Sequence, residues 1–330
     1  MSDSLKDRFT KLFNNEMEFE EARSMLEELY KKGESAEDIA AAAEVMRSFS
    51  VSLPVPKELS GRLIDVVGTG GDKSGSFNVS STSALLLAAA GSYVAKHGNR
   101  SVTSKSGSAD MLEALGIRLD LEPDQQVRLL EKTGFCFIFA MRHHPAMKHI
   151  MPIRKSIEHR TIFNLLGPLT NPAKPKRYLL GVFDPSFVSK VAEALSLIGV
   201  ERALIVSSED GMDEISIFAP TQAVLLEDGE RRPFVIDPFE FFDGGYGFSD
   251  IQGGDARYNA KITSGLLKGE IKGAKLDMLL LNSAAALWVD KKVSNIKEGI
   301  EFARELIESK KAQEKLEEIV EESGRLAENG

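Results

Sequence analysis

The spacing of apolar residues divides the chain into two textures. In the first part Phe19, Ala22, Met25, Leu26 and Leu29 fall three or four residues apart, so they line one face of a helix. Lys31-Lys32-Gly33 ends it, because cations suit a helix C-terminus and glycine accepts the backbone that follows. Ser35, with Asp38 three residues on, predicts the N-cap of a second helix whose body runs from Ile39 to Met46. Pro54 and Pro56 then break the helical period, and 52–60 reads as a linker.

Beyond it, short apolar runs at 63–67, 92–95, 134–140, 178–183 and 202–206 alternate with helical patterns at 109–115, 124–132 and 187–198. This alternation predicts an α/β fold with a mostly parallel central sheet. The expected organisation is a small N-terminal α-helical domain over 1–60 and a larger α/β domain over 61–330. Gly253-Gly254-Asp255-Ala256 opens a helix over 255–267, an apolar helix with Trp288 follows over 275–289, and amphipathic Glu/Lys-rich helices close the chain. In such sheets ligands gather beyond the C-terminal ends of the strands, which selects the loops to read for chemistry.

Composition narrows the function. A net charge of −9 argues against nucleic acid as a partner, since that binding rests on basic surface. Basic islands at 96–105 and 142–160 within an acidic chain suit an anionic small molecule. The single cysteine, Cys136, lies in an apolar run and excludes an internal disulfide or a cysteine-based zinc site. With no apolar stretch of membrane-spanning length and no signal-like segment over 1–15, the expected location is the cytoplasm, without a membrane partner.

Four loops carry candidate chemistry. The first, Gly68-Thr69-Gly70-Gly71-Asp72, follows the first apolar run and leads into a buried helix from about Asn78. Glycines let backbone approach a ligand, and a helix N-terminus offers N–H groups to anions, so a phosphate cradle is one reading. An ordinary strand-to-helix turn is the other. The dinucleotide and P-loop motifs both fail here: Lys73 takes the third glycine position, and Asp72 stands where a P-loop has glycine. A carboxylate in an anion loop calls for a metal-bridged phosphate or an amino group nearby. The second loop, Lys96-His97-Gly98-Asn99-Arg100, gathers cations and an amide, and Arg100 can grip a carboxylate or phosphate. The third region, 140–155, carries His143, His144 and Arg154 without a zinc-binding spacing. Gly167-Pro168 and Asn171-Pro172 beyond it are turn signals around an apolar patch. The fourth loop places Glu209, Asp210, Asp213 and Glu214 after a strand, as either a Mg²⁺ site or a solvated acidic turn.

Eight motifs in order then resemble one family. They are the glycine loop, Asn78-Val79-Ser80, Lys96-His97-Gly98-Asn99-Arg100, Ser106-Gly107-Ser108-Ala109-Asp110, His144-Pro145-Ala146-Met147, the segment from Asn164 to Pro172, Asp213-Glu214 and Gly253-Gly254-Asp255-Ala256. Together they resemble the anthranilate phosphoribosyltransferases of tryptophan biosynthesis over essentially the whole chain. The resemblance implies transfer of the phosphoribosyl group of phosphoribosyl pyrophosphate (PRPP) to anthranilate, with Mg²⁺, by a homodimer joined through the helical domain. It also implies that a helical insert near 150–175 completes that domain. Gly68, Gly70, Gly71 and Asp72 would line the PRPP loop. Ser76, Asn78, Ser80 and Ser81 would supply its polar contacts, with Ser76 and Ser81 where the family often has Thr. Lys96 and Ser108 would hold PRPP. Asn99 would lie between PRPP and anthranilate, which Gly68, His144 and Arg154 would also face. Ser80, Asp213 and Glu214 would bind the metal. Met141 departs from the family and bears on the shape of the anthranilate channel. A pyrimidine nucleoside phosphorylase and a non-catalytic nucleic-acid-binding relative are the competing readings.

Overall fold

The computed structural model describes residues 4–72, 74–101 and 105–328; Lys73 and Ser104, which belong to two of the loops above, lie outside the described residues. The chain opens with three helices, α1 (Leu5–Phe13), α2 (Phe19–Lys32) and α3 (Ala36–Ser48). Ala22, Met25, Leu26 and Leu29 are the buried face of α2, as their spacing predicts, whereas Phe19 is exposed. Ser35 and Asp38 cap α3 reciprocally: Asp38 N donates to Ser35 Oγ (3.2 Å), and Ser35 N donates to Asp38 Oδ2 (3.1 Å).

After a short α4 (Lys57–Ser60) come β1 (Leu63–Gly68), α5 (Val79–Ala89), β2 (Tyr93–Gly98), α6 (Ser108–Ala114), α7 (Pro123–Thr133) and β3 (Phe135–Phe139). The helical segments α8 (Ala140–His143), α9 (Met147–Lys155) and α10 (Phe163–Leu169) precede β4 (Arg177–Gly181), α11 (Val188–Leu197) and β5 (Arg202–Ser208). A hairpin, β6 (Thr221–Glu227) and β7 (Glu230–Ile236), leads to α12 (Ala256–Leu267), α13 (Ala274–Val289), α14 (Ile296–Glu308) and α15 (Lys311–Glu328).

The seven strands form one sheet in the order β3-β2-β1-β4-β5-β6-β7. The first five in that order are parallel and the hairpin is antiparallel. The order reverses between β1 and β4, so the crevice beyond their C-terminal ends is the topological switch point, where open α/β sheets bind ligands. Gly68 and Gly181 sit opposite each other at its mouth.

The hairpin is the main element that the apolar pattern does not reveal. Its outer strand reads Glu230-Arg231-Arg232-Pro233-Phe234-Val235-Ile236 and is mostly exposed, as suits an edge strand guarded by charge and proline. The turn does carry a signal: Asp228-Gly229, both at positive φ (50° and 86°), joins the paired Glu227 and Glu230. Gly167 and Pro168, read as a turn from sequence, fall in the last turn of α10 instead.

Alternation along the strands serves two cores. Val66, Leu179, Leu204 and Val206 face α5 and α13, while Tyr178, Leu180, Ala203 and Ile205 face the side covered by the N-terminal helices, α10 and α11. A buried polar clamp ties β1 and β2 to the segment after α10. Asn171 Nδ2 donates to Asp65 Oδ2 and to Ala95 O, both at 2.8 Å, and Asn171 Oδ1 accepts Ala173 N–H (2.9 Å). Burial pushes the Asp65 carboxyl up to about 6, against the opposing pull of Lys96. Asn171→Ala strands three buried groups. It should lower unfolding stability by about 3 kcal/mol in urea denaturation, and a loss below about 1 kcal/mol contradicts the clamp.

Candidate active site

The switch-point crevice is shaped by glycines on both central strands. A Cβ on Gly68 would collide with the Asp213 carboxylate, and one on Gly181 with the Asp213 backbone carbonyl. Their absence lets the turn after β5 drop between the strand ends. Asp213 Oδ2 there accepts the Gly70 N–H at 2.6 Å. Gly70 and Gly71 adopt positive φ (68° and 78°), a conformation that favours glycine. Thr69 closes the loop against β4: its N–H donates to Gly181 O (3.0 Å), and its Oγ1 accepts Phe183 N–H (3.1 Å).

Charge converges on the same point. Ser80 N, in the first turn of α5, donates to Glu214 Oε1 at 3.3 Å. Lys96 is buried within β2, ahead of the loop where sequence places it, and donates to Val66 O (2.6 Å) and Ser80 Oγ (3.4 Å). Burial raises the Asp213 carboxyl, and the neighbouring Asp72 raises it further. Glu214 is raised by burial and by Asp213, with Lys96 opposing. Asp72, without an evident partner in the sequence, thus faces Asp213, and it also accepts Ser74 N–H at 3.2 Å.

Repelling carboxylates held beside a serine hydroxyl are a hard-oxygen donor set, which fits Mg²⁺. Among the described residues no three His, Cys, Asp or Glu side chains converge as a metal site by themselves. One or two carboxylates, completed by substrate phosphate and water, are the usual protein share of a Mg²⁺ site.

The later half of the glycine loop pairs with the segment before α12. Ser76 bridges to Gln252, Gln252 Nε2 donates to Ser74 O (2.9 Å), and Gly253 N donates to Gly75 O (2.9 Å). The Asn78 side chain makes no cap bond to α5. It donates to Ser106 O (3.3 Å) and accepts from Asn259 Nδ2 (2.8 Å). Asn259, whose Oδ1 accepts Gly254 N–H (2.7 Å), is a buried orienting residue that the sequence alone does not single out. Ser81 Oγ is buried without a hydrogen-bond partner among the described residues.

At the end of β2, Ser108 Oγ donates to Asn99 O (3.2 Å), and Asn99 itself is exposed. Arg100 is not free to grip an anion: it forks onto Glu113 (2.6 and 2.8 Å) and reaches Asp110 (2.9 Å). His144 and Arg154 share no hydrogen bond with the carboxylate cluster. His144 packs edge-on against His97 with centroids 5.2 Å apart, and the Nε2 atoms of both rings are buried without partners among the described residues. Arg154, on α9, lies over the Phe163 ring (5.2 Å), burial lowers its pKa, and it has no carboxylate partner among the described residues. Met141 turns outward, 67% exposed. Arg160, one cation among several in the sequence, stacks on Phe183 (3.7 Å) and donates to Gly71 O at 2.8 Å, so it braces the glycine loop from the helical side.

Known proteins share both the sequence pattern and the fold. The family model "Glycosyl transferase family, a/b domain" matches residues 60–313. The chain is similar to the anthranilate phosphoribosyltransferase of Persephonella marina, at 45% identity over 98% of this chain and 94% of that protein. It is similar to that of Aquifex aeolicus at 46% identity, covering 89% and 86%. Among solved structures, the anthranilate phosphoribosyltransferase of Thermus thermophilus superposes with a TM-score of 0.89 at 39% identity, covering 97% and 94%. The Saccharomyces cerevisiae enzyme in complex with PRPP and Mg superposes with a TM-score of 0.87 at 28% identity, covering 97% and 93%.

Burial depresses His144 to about 4, helped by His143. An unfolded histidine takes up its proton near 6.5, so between those values the unfolded chain binds the extra proton and this residue's contribution to stability falls as pH drops. From about pH 7 to about pH 5, His144→Gln should therefore lose about 2 kcal/mol less stability than the wild type. Parallel pH profiles in denaturant titrations contradict the buried neutral histidine.

Proposed function

The chain belongs to the anthranilate phosphoribosyltransferase family, and on that basis we propose how its own residues carry the transfer of the phosphoribosyl group from PRPP to anthranilate. The reaction gives N-(5-phosphoribosyl)anthranilate and pyrophosphate, a step of tryptophan biosynthesis, and uses Mg²⁺. The observation that carries the residue assignment is the buried Asp213-Glu214 pair at the switch point, in contact with the glycine loop and facing Lys96.

Gly68, Gly70, Gly71 and Asp72 form the PRPP loop, and their backbone approaches the pyrophosphate where no side chain intervenes. Asn78, Ser80 and Ser81, with Ser76 earlier in the loop, line the phosphates at the start of α5, whose N-terminal N–H groups favour an anion. Lys96 places a positive charge beneath them, and Ser108 and Asn99 hold the ribose phosphate side. Ser80, Asp213 and Glu214 hold Mg²⁺, which supplies Lewis-acid stabilisation of the charge that develops on the leaving pyrophosphate. As the C1–O bond of the ribose breaks, the oriented N–H groups and Lys96 meet that charge without reorganising; one such donor is typically worth about 2.7–4 kcal/mol.

The acceptor side needs less chemistry. The aromatic amine of anthranilate is already neutral near pH 7, so it requires orientation and no strong base. Arg154 is a desolvated cation with no carboxylate partner among the described residues, and the carboxylate of anthranilate supplies one. Neutral His144 and the backbone of Gly68 and Asn99 complete the wall of that channel. The chain acts as a cytoplasmic homodimer whose contact runs through the helical domain of 1–60 with the insert near 150–175; the exposed Phe19 and Tyr30 of α2 support this surface.

Mixing the protein with PRPP, Mg²⁺ and anthranilate should extinguish anthranilate fluorescence, and omission of any component should preserve it. Persistent fluorescence with all four present sinks the assignment. Arg154→Ala should raise KM for anthranilate by at least about tenfold, equivalent to about 1.4 kcal/mol, with KM for PRPP unchanged. Equal effects on both substrates would remove Arg154 from the anthranilate site.

A further inference from the structure

A second charged cavity lies at the opposite end of the sheet. It has a volume of about 200 Å³ and is lined by Arg62, Tyr93, Arg177, Asp290, Lys291 and Lys292, together with Gly91 and Ser92. Arg62 precedes β1, Tyr93 begins β2 and Arg177 begins β4, so the cavity sits at the N-terminal strand ends. At about 3.3 Å of rise per residue, a six-residue strand separates it from the catalytic crevice by roughly 20 Å.

Its charge is unbalanced. Four cations face one carboxylate, in a chain whose net charge is −9. Asp290 is already engaged: it accepts Ser92 Oγ–H (2.6 Å) and Arg177 Nη1–H (2.7 Å). Lys291 lies 3.5 Å from Glu227, but that carboxylate also serves Arg202 (3.2 Å) and Arg232 (2.8 Å). Arg62 and Lys292 have no carboxylate within salt-bridge distance among the described residues. Both are nevertheless held in place, Arg62 over the Tyr93 ring (4.5 Å) and Lys292 by a hydrogen bond to Gly91 O (2.9 Å). These fixed cations converge on a hollow too small for a drug-sized molecule and large enough for a compact anion.

We propose that this cavity binds a phosphate-class dianion, held by Arg62, Lys291 and Lys292 beside the Arg177–Asp290 pair. The cavity is independent of the transferase reaction, because none of these residues touches the catalytic crevice. A compact dianion matches the surplus positive charge, and the guanidinium of Arg62 offers the fork geometry that phosphate oxygens favour.

Trp288, the sole tryptophan, reports on this end of the molecule: it lies two residues before Asp290, with Arg202 5.5 Å from its ring. Inorganic phosphate and glycerol phosphate should be titrated separately into the full chain at constant ionic strength. Trp288 emission is read under excitation that spares tyrosine. A saturable response to either anion supports the site, and a response to one alone identifies its source as free phosphate or phosphomonoester. The exposed Arg62→Gln/Lys292→Gln double variant should fold, retain transferase activity and shift the midpoint upward by at least about tenfold. No response to either anion, an equal response to chloride at matched ionic strength, or an unchanged midpoint in the double variant overturns the proposal.

Discussion

The hydrogen bond from Gly70 N to the buried Asp213 carboxylate is the contact on which the crevice depends. It joins the loop after β1 to the turn after β5 across the end of β4. It is possible only because Gly68 and Gly181 leave the space that side chains would fill. One acceptor therefore sets both the path of the glycine loop and the position of the acidic pair. The second half of the loop is secured separately by Gln252 and Gly253, and its midpoint by Arg160 from the helical side. The glycine loop is braced from three directions before any substrate enters.

This arrangement concentrates like charge. Beyond burial, Asp72 raises the proton affinity of Asp213 and Glu214, Asp213 raises that of Glu214, and Lys96 is the cation that opposes the effect on Glu214. Two unit charges about 4 Å apart repel by about 4 kcal/mol at the effective dielectric of a protein site. A divalent cation bound there with its pyrophosphate would relieve that repulsion. Under the proposed assignment, the geometry least comfortable without metal is the one that would select a metal-bridged leaving group. At the other side, Arg154 and His144 show complementary incompleteness among the described residues: a desolvated cation without an anion, and a neutral ring nitrogen without a partner. Under the proposed assignment, a small aromatic acid would complete both.

Much of this was legible in the chain because local signals agreed with global ones. The capping box at Ser35 and Asp38, the apolar run of α13 and the glycine loop after β1 each specify their element directly. The acidic turn after β5 was visible as a cluster, but only the fold reveals that Asp213 and Glu214 enter the crevice while Arg100 is consumed by Glu113 and Asp110. What sequence does not show is long-range partnership. Asn171 reads as a turn residue and acts as a clamp over Asp65; Asn259 reads as a helix residue and orients Asn78. The β6–β7 hairpin escaped because a charged edge strand with Pro233 lacks the apolar run of a central strand.

Whether the acidic pair holds the metal is decided by calorimetric binding of PRPP with and without Mg²⁺, in the wild type and in Asp213→Asn/Glu214→Gln. Mg²⁺ should tighten wild-type binding by roughly 100-fold or more, and the tightening should fall to about threefold or less in the variant. An equal Mg²⁺ enhancement in both proteins would contradict a metal held by Asp213 and Glu214.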